Sequence, residues 1–156
     1  MEPTLRQLLA EDKLEQVEVD ERVPKLELDV AFRHHKTAQL AAAEDPEGAF
    51  QLLYDSARKA LQAVLFTQGL RVRRPPRGNH YTYVLVSRTD LVDREVWRPL
   101  NWMRELRNET EYWEPDSTAA KYEDVIQALA FVSRMLEDAT NRLEANQANI
   151  DRGASE

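Results

Sequence analysis

The stretch AFQLLYDSARKALQAVLFTQGLR, residues 49–71, decides the fold. Its apolar residues return every three or four positions, which is the spacing of an α-helix with one buried face. Asp45 is a helix-capping residue, Pro46 fits the first turn, and Gly69 supplies a left-handed stop. The predicted helix therefore covers residues 46–68, about six turns, and is central to the domain. Its buried stripe is predicted to comprise Phe50, Leu53, Tyr54, Ala57, Leu61, Val64 and Leu65.

The rest of the chain repeats this helical spacing, and no segment of strand length alternates convincingly between apolar and polar residues. The sequence therefore predicts an all-α fold, an antiparallel bundle of about four to six helices without a sheet. The other predicted helices are a short one capped by Thr4 with Gln7; one from about Pro24 to Ala43 with Leu26, Val30, Thr37 and Leu40 on its apolar side; one from about His80 to Leu91; one from near Pro99 to before Pro115; and a last one, capped at Ser117 or Thr118, to about Leu143.

Length and composition predict a single domain. At 156 residues, of which 42% are hydrophobic, the chain can bury one core, whereas two separate cores would each be marginal. We assign residues 1–22 to an N-terminal helix and acidic connector, residues 23–144 to the helical bundle, and residues 145–156 to a disordered tail.

Charge and composition exclude several classes of function. A formal net charge of −7 argues against a protein wrapped in nucleic acid, so any contact with RNA must be local. The chain has no cysteine, which excludes thiolate catalysis and cysteine-bound zinc. Adjacent His34 and His35 point about 100° apart on a helix, so we predict no metal site and no cofactor. Without a signal-peptide pattern or a membrane-length apolar run, we expect a soluble, cytoplasmic protein with no membrane contact.

The stretch RELRNETEYW, residues 104–113, contains the first group of candidate site residues. Helical spacing places Met103, Leu106, Thr110 and Trp113 on the core side, with Leu100 at its edge. An adjoining side presents Arg104, Arg107, Asn108 and Glu111, and Tyr112 lies beside Asn108. This side is either a functional surface or a solvated face, on which an Arg107–Glu111 pair would contribute only about 0.2–0.5 kcal/mol.

The stretch RVRRPPRGNH, residues 71–80, is the second group. Its prolines and glycine forbid regular structure, and its basic residues can contact phosphates, with Tyr81 and Tyr83 close enough to stack on bases. A solvated loop is the alternative, with His80 as a capping or packing residue and Tyr83 in the core. On the central helix, Asp55, Arg58 and Lys59 either border the Arg107 region or are simply exposed. The candidate binding residues are Arg73, Arg74, Arg77 and His80, together with Arg104 and Glu111.

Three segments resemble the HEPN superfamily of small antiparallel helical bundles, over roughly residues 28–143. They are residues 49–71, similar to the family's long helix with a Lys-Ala-Leu segment and glycine stop; GNH at 78–80, similar to a Gly-x-His that leads into the next helix; and RNETEY at 107–112, similar to a signature of arginine, often asparagine, then histidine after four to six residues.

The resemblance implies a metal-independent ribonuclease site at a two-fold homodimer interface, with Arg107 and Asn108 matching the signature. There arginine would hold the scissile phosphate bidentately and histidine would relay the proton of the 2′-hydroxyl. Tyr112 stands where the shortest signature has histidine, and a phenol with a pKa of about 10 is a poor base at neutral pH. The arrangement resembles a branch with Arg-Asn-x-x-Glu-Tyr, so the candidate catalytic residues are Arg107, Asn108 and Tyr112.

The sequence therefore favours a HEPN-type protein associated with RNA or a nucleotide, the toxin-like member of a toxin–antitoxin or stress-defence pair, with a degenerate ribonuclease site. The resemblance implies a minimal nucleotidyltransferase as partner, with Tyr112 as a candidate acceptor of AMP. The alternative is a non-catalytic helical adaptor that binds a nucleotide or a protein. We also expect a homodimer, because Trp97, Trp102 and Trp113 exceed what a small bundle usually buries, and aromatic residues are enriched in interfaces.

Overall fold

The computed structural model describes residues 2–111 and 119–155, apart from the side chain of residue 111. Most of these residues lie in helices, which confirms the predicted all-α class in its coarse form. In the described part of the chain, none of the helices combines the length and apolarity needed to cross a membrane. In chain order the elements are α1 (Leu5–Ala10), β1 (Leu14–Gln16), α2 (Val23–Ala41), α3 (Pro46–Thr67), β2 (Leu70–Val72), α4 (His80–Ser87), α5 (Arg94–Trp97), α6 (Leu100–Glu111) and α7 (Tyr122–Ala154).

Helix α3 is the centre of the fold, as predicted, and packs against α2, α6 and α7. Both of its predicted end signals are confirmed. Asp45 Oδ1 accepts a hydrogen bond from the Gly48 amide at 3.0 Å, and Gly69 adopts a φ of 67° directly after the helix. The positive φ favours glycine there, and a Cβ would in addition make a tight contact, 3.1 Å from Val19 Cγ2. The chain can therefore turn sharply from α3 into β2.

The predicted buried face of α2 is wrong. Leu26 and Leu40 are 62% and 77% exposed, whereas the buried residues are Pro24, Leu28, Ala31 and Ala38. The reason is close packing against α3, where the buried Ser56 hydroxyl donates a 2.6 Å hydrogen bond to the Ala31 carbonyl oxygen. Small alanine side chains permit this approach, so α2 presents its smaller residues to the core and leaves two leucines in solvent.

The expectation of a fold without strands is wrong at one place. Strands β1 and β2 pair in an antiparallel two-stranded ribbon, with Leu14 opposite Val72 and Gln16 opposite Leu70. Each strand has three residues, which is too short for an alternating pattern to be recognised in the sequence. Leu14 and Leu70 are buried, so the ribbon joins the N-terminal segment both to the core and to the arginine-rich segment that follows β2.

The ends of two helices, α4 and α7, differ from their predicted positions. Helix α4 stops at Ser87, whose hydroxyl donates to the Val84 carbonyl oxygen, instead of continuing to about residue 91. Helix α7 begins at Tyr122, and the predicted caps Ser117 and Thr118 lie outside the described residues. The same helix continues to Ala154, through most of the predicted tail, supported there by a Gln147–Asp151 side-chain hydrogen bond of 2.9 Å. The capping box of Thr4 and Gln7 on α1 is confirmed.

Two of the three tryptophans belong to the core of one chain. Trp97 is fully buried, and its indole Nε1 donates to Asp138 Oδ2 of α7 at 2.9 Å. Trp102 packs edge-on between Phe50 and Phe131, with ring-centroid distances of 5.6 and 6.1 Å. Trp113 lies outside the described residues. Since these two rings are used inside the monomer, they no longer support a homodimer, which stays a prediction from the family resemblance.

Candidate functional site

An open cleft of about 740 Å³ lies between α3, α4, α6 and the segment that follows β2. It brings together side chains from all three sequence segments that carried the family resemblance. We call it the basic cleft, because its charged lining residues, among those the structure describes, are Arg58, Arg73, Arg74, Arg107 and the single carboxylate Asp55. His80, Tyr54 and Tyr83 are further titratable residues of its lining.

Tyr54 of α3 connects two of these residues. Its side chain is only 2% exposed, and its hydroxyl shares a 2.9 Å hydrogen bond with His80 Nδ1, whose direction depends on the imidazole tautomer. The Arg107 guanidinium lies over the Tyr54 ring, 5.7 Å from its centroid. Burial raises the pKa of Tyr54 to about 12, against the opposing charges of Arg58 and Arg107, so the phenol is neutral at physiological pH.

Arg107 reaches the cleft because α6 turns its apolar side to the core. Leu100, Met103, Leu106 and Thr110 are buried, which confirms the predicted core side for every described member. Arg107 is then half-buried at the edge of that side, and its Nη1 donates a 3.3 Å hydrogen bond to Asn108 Oδ1. Asn108 itself does not line the cleft, and its described side-chain contact is this hydrogen bond with Arg107.

Arg58 and Asp55 form a charged pair on the α3 wall of the cleft. The Arg58 guanidinium donates to Asp55 Oδ1 through both Nε and Nη2, and it lies 5.6 Å from the centre of the Tyr83 ring. Burial lowers the pKa of Arg58, but the hydrogen bond and charge of Asp55 together raise it above its ordinary value. Arg58 is therefore a permanent positive charge in the cleft. The alternative prediction from the sequence, that these two side chains are simply exposed to solvent, is wrong.

The arginine-rich segment is divided between the cleft and the N-terminal segment. Arg73 and Arg74 line the cleft, whereas Arg77 lies outside it, 3.5 Å from Asp12. Arg73 Nη atoms also lie 3.8 Å from carboxylate oxygens of Asp12 and Glu15. Arg74 is exposed and has no ion-pair partner in residues 2–111 or 119–155. Of the predicted basic residues, Arg74 is thus the one most readily available to an anion.

Gly78 fixes the backbone between this segment and α4. A Cβ at Gly78 would lie 1.9 Å from the Arg73 carbonyl oxygen, a distance that no side chain can occupy. The segment must therefore fold back on itself at glycine, which places Arg73 and His80 on the same cleft. The Gly-x-His pattern in the sequence was the available signal for this turn.

His80 does not cap α4. Asn79 is the cap, since its Oδ1 accepts from the Thr82 amide at 3.1 Å and the Thr82 hydroxyl accepts from the Asn79 amide at 3.2 Å. The capping role considered for His80 is therefore wrong, and its ring instead contacts Tyr54 inside the cleft. Tyr83, considered as a stacking residue, is buried and donates to Gln62 Oε1 at 3.1 Å.

The remaining predicted residues lie elsewhere or outside the described part of the chain. Arg104 stacks on Tyr81 at 5.2 Å and donates to Asn101 Oδ1, and it does not line the cleft. Glu111 ends α6, and neither its side chain nor Tyr112 is among the described residues. His34 contacts Asp55, while His35 bonds to the Leu129 carbonyl oxygen. No group of acidic and histidine residues placed to hold a metal ion occurs within residues 2–111 and 119–155.

Comparisons with family models, curated proteins and solved structures gave no significant match to this chain. The family resemblance therefore rests on the quoted sequence segments alone.

Proposed function

We propose that this chain is a HEPN-type protein that binds RNA, or a nucleotide, by its phosphate groups in the basic cleft. The observation that carries this proposal is charge segregation. Among the residues that the structure describes, four arginines and one carboxylate line the cleft of a protein whose formal net charge is −7. A local basic surface on an acidic protein favours a local phosphate contact over non-specific wrapping of nucleic acid.

Arg107 is the proposed phosphate ligand at the base of the cleft. Its guanidinium is planar and carries paired donors that match two phosphate oxygens, and it lies over the Tyr54 ring, 5.7 Å from the ring centroid. Because the buried phenol stays neutral, Tyr54 adds no negative charge that would repel the ligand. Arg74, exposed at the opening, would contact a neighbouring phosphate of a strand.

The family part of the proposal is supported by convergence of the three quoted segments. Tyr54 and Arg58 come from the long-helix segment, His80 from GNH, and Arg107 from RNETEY, and all four line one cleft. Independent solvated faces would have no reason to meet in this way. On the same resemblance we propose a homodimer and a role as the toxin-like member of a two-component pair, with a nucleotidyltransferase as partner and Tyr112 as its acceptor.

The adaptor function has one observation in its favour. Leu26 and Leu40 of α2 are 62% and 77% exposed, which is unusual for leucines in a helix that packs against the core. A protein partner would cover such residues. In the protein-binding form of this alternative the basic cleft has no role, so that form can be separated from the proposed function by experiment.

The test is binding of a short single-stranded RNA, followed by fluorescence anisotropy at several salt concentrations. We expect saturable binding that weakens with salt, and Arg74→Ala should reduce the slope of log affinity against log salt by roughly one phosphate contact. The matched control is Arg77→Ala, a loop arginine directed to Asp12 and outside the cleft. Absence of binding, or equal loss in both variants, would refute the proposal. Titration with AMP tests whether the cleft binds a nucleotide instead of RNA.

A further inference from the structure

Three side chains from three helices surround one point of the basic cleft. Arg107 comes from α6, Tyr54 from α3 and His80 from α4. The tyrosine joins the other two, with its ring under the guanidinium at 5.7 Å and its hydroxyl 2.9 Å from His80 Nδ1. The proposed phosphate-binding arginine and an imidazole thus contact the same buried side chain, although they are 27 residues apart in sequence, at positions 107 and 80.

We propose that His80 is the proton-transfer residue for cleavage of RNA bound in this cleft, an inference that rests on the function proposed above. The imidazole takes the proton of a ribose 2′-hydroxyl while the 2′-oxygen forms a bond to phosphorus. The bond from phosphorus to the 5′-oxygen breaks, and that oxygen leaves with the electron pair and takes a proton from solvent water. The imidazolium then returns its proton to the hydroxide so formed. The products are a 2′,3′-cyclic phosphate and a 5′-hydroxyl.

The chemistry of each group suits its part in this step. Imidazole is the side chain whose ordinary titration falls near neutral pH, so it can accept and release a proton there. Arg107 supplies fixed positive charge for the phosphoryl oxygens, where negative charge builds in the transition state. In this proposal the arginine is on α6 and the imidazole is on α4. The signature would instead place its histidine at position 112, which is a tyrosine in this chain.

Tyr54 is a positioning residue in this proposal. It is buried and stays protonated, and its 2.9 Å hydrogen bond with His80 Nδ1 fixes the orientation of the ring. The proposal requires the tautomer in which Nδ1–H donates to the Tyr54 hydroxyl oxygen, so that Nε2 is the nitrogen that accepts the proton. Among the described residues, the other charged and titratable groups that line the cleft are Arg107 on α6, Arg58 and Asp55 on α3, Tyr83 on α4, and Arg73 and Arg74 after β2.

The experiment separates binding from cleavage by using two strands of one sequence. Affinity is measured with 2′-O-methyl RNA, which has no nucleophile, and cleavage with the matching RNA in the presence of EDTA. We expect wild-type protein to release a 2′,3′-cyclic phosphate product, with a rate that rises with pH through the imidazole titration. His80→Asn should lower the rate by roughly 100-fold or more, and any loss of affinity for the 2′-O-methyl strand should be far smaller than this loss of rate.

Two further variants complete the design. Tyr54→Phe should lower the rate and displace the midpoint of the pH profile, which loss of packing alone would not do. His35→Gln, at a histidine that contacts α7 outside the cleft, should leave rate and profile unchanged. Tight binding without cleavage by the wild type, or full cleavage by His80→Asn, would overturn the role of His80 while the binding function stands. Failure to bind either strand would instead refute the proposed function.

Discussion

Replacing Arg107 by lysine separates charge from shape at the basic cleft. Lysine keeps the positive charge but loses the planar fork and the stacking of the guanidinium on Tyr54. A hydrogen bond to a charged group contributes about 1.5–3 kcal/mol, so loss of one arm of a bidentate contact should weaken RNA binding by roughly 10- to 100-fold. Arg107→Ala should weaken it by a similar or slightly larger factor. Because Arg107 is half-buried and contacts both Tyr54 and Asn108, both variants should also lose some stability, which urea unfolding measures separately from RNA binding.

The assay is fluorescence anisotropy with single-stranded RNA, paired with urea unfolding of each variant. Arg104→Lys is the matched control, since Arg104 lies on the same helix and also stacks on a tyrosine, Tyr81 at 5.2 Å, but does not line the cleft. That control should bind RNA like the wild type. If Arg107→Lys and Arg107→Ala both bind RNA at wild-type affinity, Arg107 is only part of a solvated face and the proposed ligand contact is refuted.

The remaining predictions concern stability and the arginine-rich segment. Above pH 10 an unfolded tyrosine ionises, whereas burial keeps Tyr54 protonated to about pH 12. The unfolded state is therefore increasingly favoured between those values, and wild-type protein should lose roughly 2–3 kcal/mol there by urea unfolding. Tyr54→Phe should show a shallower decline, and equal declines would contradict the buried phenol. Asp138→Ala removes the acceptor of the Trp97 indole at 2.9 Å and should destabilise the protein by about 1–3 kcal/mol, measured by denaturant unfolding. Unchanged stability would show that the indole finds another acceptor. Gly78→Ala places a Cβ 1.9 Å from the Arg73 carbonyl oxygen, so the segment must move and RNA affinity should fall, while helix content by circular dichroism is retained. Wild-type affinity in this variant would mean that the position of the segment is irrelevant to binding.

Elements defined by local signals were predictable from the sequence. Helix α3 occupies Pro46–Thr67 against a predicted 46–68, because its cap, proline and terminal glycine act within a few residues of each end. The face of α2 was not predictable in the same way. Which side is buried depends on how closely α3 approaches, and Ala31 and Ala38 allow contact that leucine would prevent. Hydrophobicity alone therefore selected the wrong side.

The members of the candidate site were partly predictable, but their arrangement was not. Arg73, Arg74 and Arg107 stand out by residue type, and all line the cleft. Tyr54 could not be identified, because in the sequence it is one more apolar position on a buried helical stripe. Its role depends on the approach of His80 from a different helix, which only tertiary structure specifies. Pairing of β1 with β2 was likewise hidden, because three residues carry too little pattern.

The two-stranded ribbon should separate more easily than the helical core of this protein unfolds. Three residue pairs and the Arg71–Glu15 contact of 2.6 Å hold the ribbon, and such short ribbons are marginal by themselves. Amide hydrogens of β2 should therefore exchange with solvent sooner than those of α3, and Arg73 would move with the ribbon while Arg107 stays on α6. A ligand that contacts both arginines binds only while the two strands are paired, so it should slow amide exchange at Leu14–Gln16. Ligand binding in the cleft would then be detected as slower amide exchange near the amino terminus, in residues that do not contact the ligand.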